Sequence, residues 1–402
     1  MRHRYCNFIV SCVALLAIAL IGMPPARAAD TTIKMNGFVS TTWFTQDEEF
    51  LFGNGQPAEL PTTNGSNNLS GFDIRNTRVW WTMTGPDMAD GWHTSGRLEA
   101  DFFGGFNGTS AFSSSQATPR LRQAVMTLTS PDGRSQILIG QQWELMFPLD
   151  AVPKSLAHVA FPLGFATGMV GWRYPGVVWK QKLNTAAEGE GQWRFDLGAF
   201  SGQWNGPGSN VDYASAGNVD IRPQVEARLH YGTSSLTAYG TVYYSKQDLS
   251  GVSGNAATPI KDSITSSAIT LGANWHPGDW HLLGAVYSGT GIGQIFGSMA
   301  QFGDIQTTGG YVQGGYQFTP HWQANLTFAQ DKPDENDVIT WLGAGSAGRL
   351  KGEQTALNLI YSDGPFGMAF EYMHAKLDGT TTGVDSYTNK GNQFSISAMF
   401  HF

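Results

Sequence analysis

The chain has 402 residues, a formal net charge of −8, 50 glycines and only 14% charged residues. Soluble domains average about 25% charged residues and about 7% glycine, so this composition argues against an ordinary soluble domain, and the acidic balance excludes a general nucleic-acid-binding protein. Both cysteines, Cys6 and Cys12, precede the expected mature chain, so we expect no disulfide in the fold.

The first 28 residues have the pattern of a secretory signal peptide. "MRHR" is basic, "FIVSCVALLAIALIG" is apolar, and Ala26-Arg27-Ala28 matches an A-x-A cleavage site. The apolar run is short for a spanning helix of about 20 residues and is followed by two prolines. We therefore expect residues 1–28 to be removed and residues 29–402 to form one domain.

Alternation of apolar and polar residues with β-rich composition then predicts about sixteen strands. We place them near residues 31–45, 73–83, 91–102, 119–129, 134–143, 172–183, 191–202, 218–231, 234–246, 262–276, 279–289, 305–318, 321–330, 350–362, 366–377 and 390–402.

The links between these strands alternate in length. Short links rich in Gly, Pro and Asp, such as "SPDGR" and "HPGD", follow the even-numbered strands, and longer links follow the odd-numbered ones. A soluble sandwich has no reason for this rhythm, whereas a membrane barrel with short periplasmic turns and long extracellular loops requires it. The predicted fold is all-β: a transmembrane antiparallel β-barrel of about 16 strands in the bacterial outer membrane.

The chain ends on "FSISAMFHF", in which every second residue from Phe394 to Phe402 is apolar. We interpret this as the strand that closes the barrel, with its apolar face toward lipid. Phe402 is then expected at the periplasmic boundary, where it would serve as an assembly signal.

A barrel of this size leaves a water-filled channel unless something narrows it. The link 144–171 is unusually apolar for a solvated loop, which favours an inward-folded constriction loop over an external hydrophobic lid. The polar residues that this loop would bring to the channel are Glu144, Asp150, Lys154 and His158. We expect the acidic stretches 46–50 and 331–337 to lie outside the narrow zone.

Seven arginines fall at inward positions of the predicted strands: Arg78, Arg97, Arg120, Arg122, Arg173, Arg222 and Arg228. An arginine facing lipid at mid-depth costs about 2–4 kcal/mol, so the lumen is the expected side for all seven. Two interpretations remain open. The arginines could form wall ion pairs with Glu99, Asp101 and Glu226, or a basic ladder that guides anions through the channel.

The sequence offers little support for catalysis. "GAGSAG" at 343–348 matches a dinucleotide-binding string, but it lies in a predicted loop between strands, and "DKPDENDV" lacks the spacing of a calcium-binding loop. The chain contains no G-x-S-x-G and no H-E-x-x-H motif. We expect no enzyme, no cofactor and no metal site.

Several strings resemble those of the DcaP-like trimeric outer-membrane porins, in the same order. They are "NTRVWW", "RLEADFFG", "PRLRQAVMTLTS" and "ILIGQQWELMF", all between residues 76 and 147. The resemblance implies a homotrimer that contacts outer-membrane lipid and lipopolysaccharide and passes small, often anionic solutes such as dicarboxylates. It also implies constriction roles for Arg78, Arg120 and Arg122. Members of that family can carry a helical coiled coil before the first strand. Here we expect strand one to start about two residues after the cleavage site, so trimerisation would rest on the barrel wall.

These observations favour a passive porin for small hydrophilic solutes. Two other classes remain: an outer-membrane enzyme, for which no catalytic constellation is visible, and a structural or adhesive barrel with an occluded lumen. An energised transporter is disfavoured, because it would need a separate plug and more strands.

Overall fold

The computed structural model describes residues 31–62, 68–108, 113–187, 190–201, 223–249 and 260–402. The expected signal peptide and Arg222 lie outside these ranges. The strands in the described ranges are β1 (Thr32–Gln46), β2 (Leu69–Asp73), β3 (Arg78–Thr84), β4 (His93–Asp101), β5 (Arg120–Thr129), β6 (Ser135–Trp143), β7 (Arg173–Lys182), β8 (Gln192–Ser201), β9 (Pro223–Gly232), β10 (Leu236–Asp248), β11 (Ser263–Trp275), β12 (Trp280–Thr290), β13 (Gln306–Gln317), β14 (Trp322–Pro333), β15 (Arg349–Asp363), β16 (Phe366–Gly379) and β17 (Tyr387–His401).

All of these strands belong to one antiparallel sheet that closes on itself. Neighbouring strands pair in chain order from β3 to β17, and β17 pairs with β1. Both β2 and β3 pair with β1, so they are two halves of one wall strand, interrupted at residues 74–77. The result is a closed barrel of sixteen wall strands, which confirms the predicted fold. Closure leaves no open sheet edge for lipid to meet.

Short and long links alternate along the barrel, as predicted. The links at one end, such as 130–134, 233–235, 276–279 and 364–365, have two to five residues. The links at the other end include 47–68, 144–172, 291–305 and 334–348. Tight turns at one rim and long loops at the other are the pattern of outer-membrane barrels.

The outer face of the wall is apolar. In β17, Phe394 and Phe400 are 40% and 49% exposed, whereas Ser395 and Ser397 on the opposite face are buried. Aromatic side chains gather at the rim with short turns, where Trp280 packs on Tyr316 with ring centroids 4.7 Å apart. Such a girdle marks the interface between hydrocarbon and water.

The interior is occupied by chain segments from the long-link end. Fully buried side chains come from three loops: Leu60 in 47–62, Leu163 in 144–172 and Ile295 in 291–305. A fourth segment contains a short helix, α1 (Glu335–Thr340), whose Val338 is also buried. Within the described residues, no helix is long and apolar enough to cross a membrane.

One expectation for the segment 331–348 is wrong. Asp331 does not lie in an external loop: β14 continues to Pro333, and the Asp331 side chain is fully buried in the barrel, where it accepts hydrogen bonds from Thr307 Oγ1 at 2.6 Å and Tyr287 OH at 2.5 Å. The loop that follows contains α1, which Asp334 caps by accepting a hydrogen bond from the Asp337 backbone N–H. The helix precedes "GAGSAG", so its N-terminus does not face that string.

Candidate functional site

Five arginines from neighbouring strands share one stretch of the inner wall. Arg78 and Arg173 begin β3 and β7, Arg97 lies in β4, and Arg120 and Arg122 lie at the start of β5. Because side chains two residues apart share a face of a strand, Arg120 and Arg122 both point into the lumen. We call Arg78, Arg97, Arg120, Arg122 and Arg173 the arginine cluster.

Two carboxylates from β4 lie within this cluster. Asp101 accepts hydrogen bonds from Arg120 Nε and Nη2 at 3.0 and 2.6 Å and from Arg122 Nη1 at 2.8 Å. Glu99 accepts from Arg122 Nε at 2.7 Å and from Arg97 Nη2 at 2.6 Å. The wall-pairing interpretation therefore accounts for part of the cluster.

Aromatic rings hold the arginines without neutralising them. Arg173 lies between Trp143 and Trp172, with its guanidinium carbon 4.5 and 4.2 Å from the two ring centroids. Arg120 lies 5.3 Å from the centroids of both Phe103 and Phe161. Stacking on a ring face stabilises a guanidinium but leaves its charge and its in-plane N–H groups free to bind an anion.

The cluster carries a surplus of positive charge. Five arginines against Glu99 and Asp101 leave three positive charges. Among the described residues, Arg78 Nε and Nη2, Arg97 Nε and Arg173 Nη1 are buried and have no hydrogen-bond partner. A buried donor without an acceptor is costly, so the cluster retains unsatisfied hydrogen-bond donors.

The link 144–172 crosses the lumen, because its residues bond to inward-facing side chains on distant strands. The Met146 backbone N–H donates to Glu226 of β9 at 2.9 Å, and the Lys154 backbone N–H donates to Gln313 of β13 at 2.7 Å. His158 Nδ1 lies 2.6 Å from Glu371 of β16. We call this segment the inserted loop.

The four polar residues predicted on this loop do not stand opposite the arginine cluster. Glu144 accepts hydrogen bonds from the Trp172 backbone N–H at 2.9 Å and from Gln224 Nε2 at 2.5 Å. Asp150 lies 3.4 Å from His230 Nε2. Lys154 and His158 contact the part of the wall formed by β13 and β16. The loop faces the arginines with aromatic rings instead, mainly Phe161 and Trp172.

Burial and hydrogen bonding shift the pKa values of three residues of the inserted loop. Burial raises the pKa of Glu144 well above its usual range, and the neighbouring Glu226 raises it further. A hydrogen bond with His230 lowers the pKa of Asp150. Burial lowers the pKa of Lys154.

Two further expectations for the wall need correction. Glu226 does not neutralise an arginine, because its carboxylate accepts hydrogen bonds from Gln224 and from the backbone of Met146. Arg228 lies outside the arginine cluster, where it donates to Thr241 Oγ1 at 3.0 Å and to the Phe147 carbonyl at 2.9 Å. Arg222 lies outside the described residues.

Phe402 lies at the rim with short turns and is 45% exposed. Its backbone N–H donates to the Gly37 carbonyl, and its carbonyl accepts from the Gly37 N–H, both at 3.0 Å. Its ring covers Gly37: a Cβ there would lie 2.7 Å from Phe402 Cζ. The last residue therefore extends the seam between β17 and β1.

Sequence reasoning missed the aromatic partners of the cluster. Trp143 gives no sequence signal, because it shares its parity in β6 with the outward-facing Ile139. Phe103, Phe161 and Trp172 lie in loops, where no periodicity indicates the direction of a side chain. In the part of the chain that the structure describes, no group of three or more His, Cys, Asp or Glu side chains could hold a metal ion.

Comparison with known proteins places the fold among outer-membrane channels. The outer membrane channel DcaP of Acinetobacter baumannii is 17% identical, with a TM-score of 0.69 over 94% of this chain and 99% of that chain. OmpT of Vibrio cholerae is 12% identical, with a TM-score of 0.55 over 94% and 99%. Salmonella typhi OmpF, solved with daunomycin, is 13% identical, with a TM-score of 0.55 over 92% and 97%.

No family model and no curated protein matches the sequence. At these identities the structural likeness establishes the fold. The closed sixteen-strand barrel and its neighbours indicate a protein of the bacterial outer membrane.

Proposed function

We propose that this chain is a passive outer-membrane porin for small hydrophilic solutes, with a preference for small anions such as dicarboxylates. The observation that carries the proposal is the arginine cluster, whose three surplus positive charges line the lumen of a barrel shared with known channels. The inserted loop narrows the passage beside these arginines and acts as the constriction loop.

The anion preference is compatible with the acidic net charge of the chain. Exposed charges are screened beyond a Debye length of about 8 Å at physiological salt. A solute in a narrow passage responds mainly to the groups that line it, because close contacts in a partly dehydrated space are less screened. The arginine cluster therefore decides selectivity rather than the loops at the rim.

A homotrimer fits the unequal lengths of the wall strands, which make one side of the barrel lower than the other. Strands β3–β8 have 7–10 residues, whereas β10–β17 have 11–15. A transmembrane strand needs about 9–11 residues, so most strands of the low side are just long enough to span the hydrocarbon layer and have no length to spare. We place the contact between copies on this side and leave the tall wall to lipid and lipopolysaccharide.

A second candidate is a structural or adhesive barrel with an occluded lumen. It is favoured by the packing of three loops against one another, in which the rings of Phe165 and Phe296 lie 4.7 Å apart and those of Phe52 and Phe165 lie 5.9 Å apart. Such a barrel would insert into a bilayer without passing ions.

Planar-bilayer recording separates these functions. We expect stepwise conductance in KCl and a reversal potential of anionic sign in a salt gradient. Replacing Arg120 and Arg122 with glutamine should move that potential toward cation selectivity, whereas Arg134→Gln, in an exposed turn, should leave it unchanged. Insertion without conductance would favour the occluded barrel. A cation-selective wild type would refute the anion preference and leave only the general porin.

A further inference from the structure

A polar cavity lies beside the inserted loop, on the wall formed by β5 to β9. It has a volume of about 220 Å³. Its polar lining includes Gln123, Gln142, Glu144, Asp150, Lys180, Arg194, Asp196 and Arg228. Gln123 also donates to Glu99 at 3.1 Å, so the cavity adjoins the arginine cluster but consists of other residues.

Most charges in this cavity are already paired. Arg194 makes two hydrogen bonds to Asp196, at 2.7 and 2.9 Å. Arg228 donates hydrogen bonds to the Thr241 hydroxyl and the Phe147 carbonyl. Its Nη1 lies 3.9 Å from Asp150 Oδ2.

Lys180 is the exception. Its side chain makes no hydrogen bond or ion pair within the described residues, although it lines the cavity and is partly buried. Lys180, Arg194 and Arg228 share the cavity with Asp150, Asp196 and Glu144, and burial raises the pKa of Glu144 and so favours its neutral form. The remaining groups leave one surplus positive charge, which the ammonium of Lys180 carries. One unpaired ammonium in a partly enclosed space selects one carboxylate.

The rest of the lining is apolar. Leu149 of the inserted loop is 49% exposed, although it faces the interior of the barrel rather than lipid. Leu138, Val178 and Trp143 complete this side. Val178 and Lys180 lie two residues apart on one face of β7, so an apolar surface continues directly from the ammonium. A half-exposed leucine in a polar channel favours a ligand with a hydrocarbon part.

We propose that this cavity is a binding site for a small monocarboxylate with a short hydrocarbon chain. The carboxylate binds Lys180, and the chain lies along Val178, Leu138 and Leu149. Pockets for drug-sized ligands measure about 300–1,000 Å³, so this cavity takes a smaller molecule. The site gives the channel a second position at which a solute binds, next to the arginine cluster. It depends on the proposed function only because the solute must reach the lumen.

The test measures binding without reference to conductance. The full mature protein is reconstituted in lipid nanodiscs, and saturation-transfer difference NMR is recorded with hexanoate, acetate or hexylammonium, with empty nanodiscs subtracted. We expect saturable binding of hexanoate, weaker binding of acetate because it lacks the chain, and none of hexylammonium because its charge has the wrong sign.

Variants then locate the site. Lys180→Gln should weaken hexanoate binding by about tenfold or more, the usual worth of a charged hydrogen bond. Leu149→Ser should weaken hexanoate but not acetate. Lys182→Gln is the matched control, since Lys182 lies on the same face of β7 but is exposed and outside the cavity lining. The heat-dependent gel mobility of each variant verifies folding.

Three outcomes would overturn the site: unchanged hexanoate binding in a folded Lys180→Gln protein, equal binding of acetate and hexanoate, or equal binding of hexylammonium. Planar-bilayer conductance is measured on the same preparations. Hexanoate binding in a protein that does not conduct would contradict the porin proposal but support the site. Conductance without hexanoate binding would support the porin proposal but contradict the site.

Discussion

At the scale of residues, the inner wall differs from one arginine to the next. Asp101 binds two arginines at once, and Arg122 is 2% exposed between Asp101 and Glu99. Arg173 contacts two tryptophan rings, Trp143 and Trp172, whose planes are nearly perpendicular to each other. The first arrangement fits the wall-pairing interpretation of the arginines, whereas the basic-ladder interpretation stays a prediction.

Removing the Asp101 charge tests whether Arg120 and Arg122 only pair within the wall or also face the permeating ion. Asp101→Asn should make the channel more anion-selective, because Arg120 and Arg122 lose a shared counterion. It should also lower the unfolding temperature, since breaking a buried ion pair typically costs about 3–5 kcal/mol. The measurements are reversal potential in a salt gradient and thermal unfolding by circular dichroism. Asp132→Asn, in an exposed turn, is the control. An unchanged reversal potential would show that these arginines do not face the permeating ion.

At the scale of elements, the inserted loop is held by side chains from four distant strands. Glu226 of β9, Gln313 of β13, Gln354 of β15 and Glu371 of β16 each bond to it. Its first residue, Glu144, is fully buried beside Glu226 and shares the amide of Gln224 with it. Two buried carboxyl groups at the base of the loop make its attachment sensitive to pH.

The pH dependence has a definite sign. The pKa of Glu144 is raised in the folded protein, so its stabilising contribution is full below the usual glutamate range and is lost as pH rises through the raised pKa. We therefore expect the unfolding temperature of the wild type to fall as the pH rises above the usual glutamate range. Glu144→Gln, which mimics the neutral acid, should reduce this fall, whereas Glu190→Gln in an exposed turn should not. Parallel curves for wild type and Glu144→Gln would contradict the assignment.

The seam between β17 and β1 makes a second prediction at this scale. Deleting Phe402 removes two backbone hydrogen bonds to Gly37 and one aromatic anchor at the rim. Gly37→Val should have a similar effect, because its Cβ would lie 2.5 Å from the Arg78 carbonyl and 2.7 Å from the Phe402 ring.

We expect both variants to reduce the fraction of barrel that assembles in the outer membrane. Phe318→Ala, which removes another exposed rim aromatic, should reduce it less. Heat-dependent mobility of membrane extracts measures this fraction. Wild-type levels of folded deletion variant would refute a role for Phe402 in assembly.

At the scale of the whole molecule, closure of the sheet is the main source of stability. Sixteen wall strands pair on both sides, so backbone groups are satisfied within the wall, and apolar side chains cover the outer face. The interior is polar and crossed by loops. A chain with an acidic net charge thus encloses a basic stretch of lumen. The exposed charges are screened by salt, whereas the arginine cluster acts only at close range.

Closure predicts resistance to detergent. The mature protein should remain folded in SDS at room temperature and shift in gel mobility on boiling, because opening the barrel exposes many backbone groups at once. Its far-UV spectrum should be dominated by strand. Identical mobility before and after boiling, or a helical spectrum, would contradict the closed barrel.

The sequence alone determined the wall. Period-two alternation and turn residues are local, so the strands from 91–102 onward were predicted close to their observed bounds. The interruption at residues 74–77 was missed, because its Asn76 bonds to the Ala157 carbonyl and the Ala160 N–H of the inserted loop, a contact that no local pattern indicates. The inward side of the arginines also followed from the sequence, because an arginine cannot face lipid cheaply.

The tertiary structure decided what fills and lines the lumen. His158 meets Glu371 across 213 positions of sequence, and Lys154 meets Gln313 across 159. No periodic pattern indicates such pairs, because loop side chains follow no fixed repeat and their partners are chosen by the shape of the closed barrel. Which arginines are neutralised, and which lie between tryptophan rings, was fixed only when strands and loops shared one confined space.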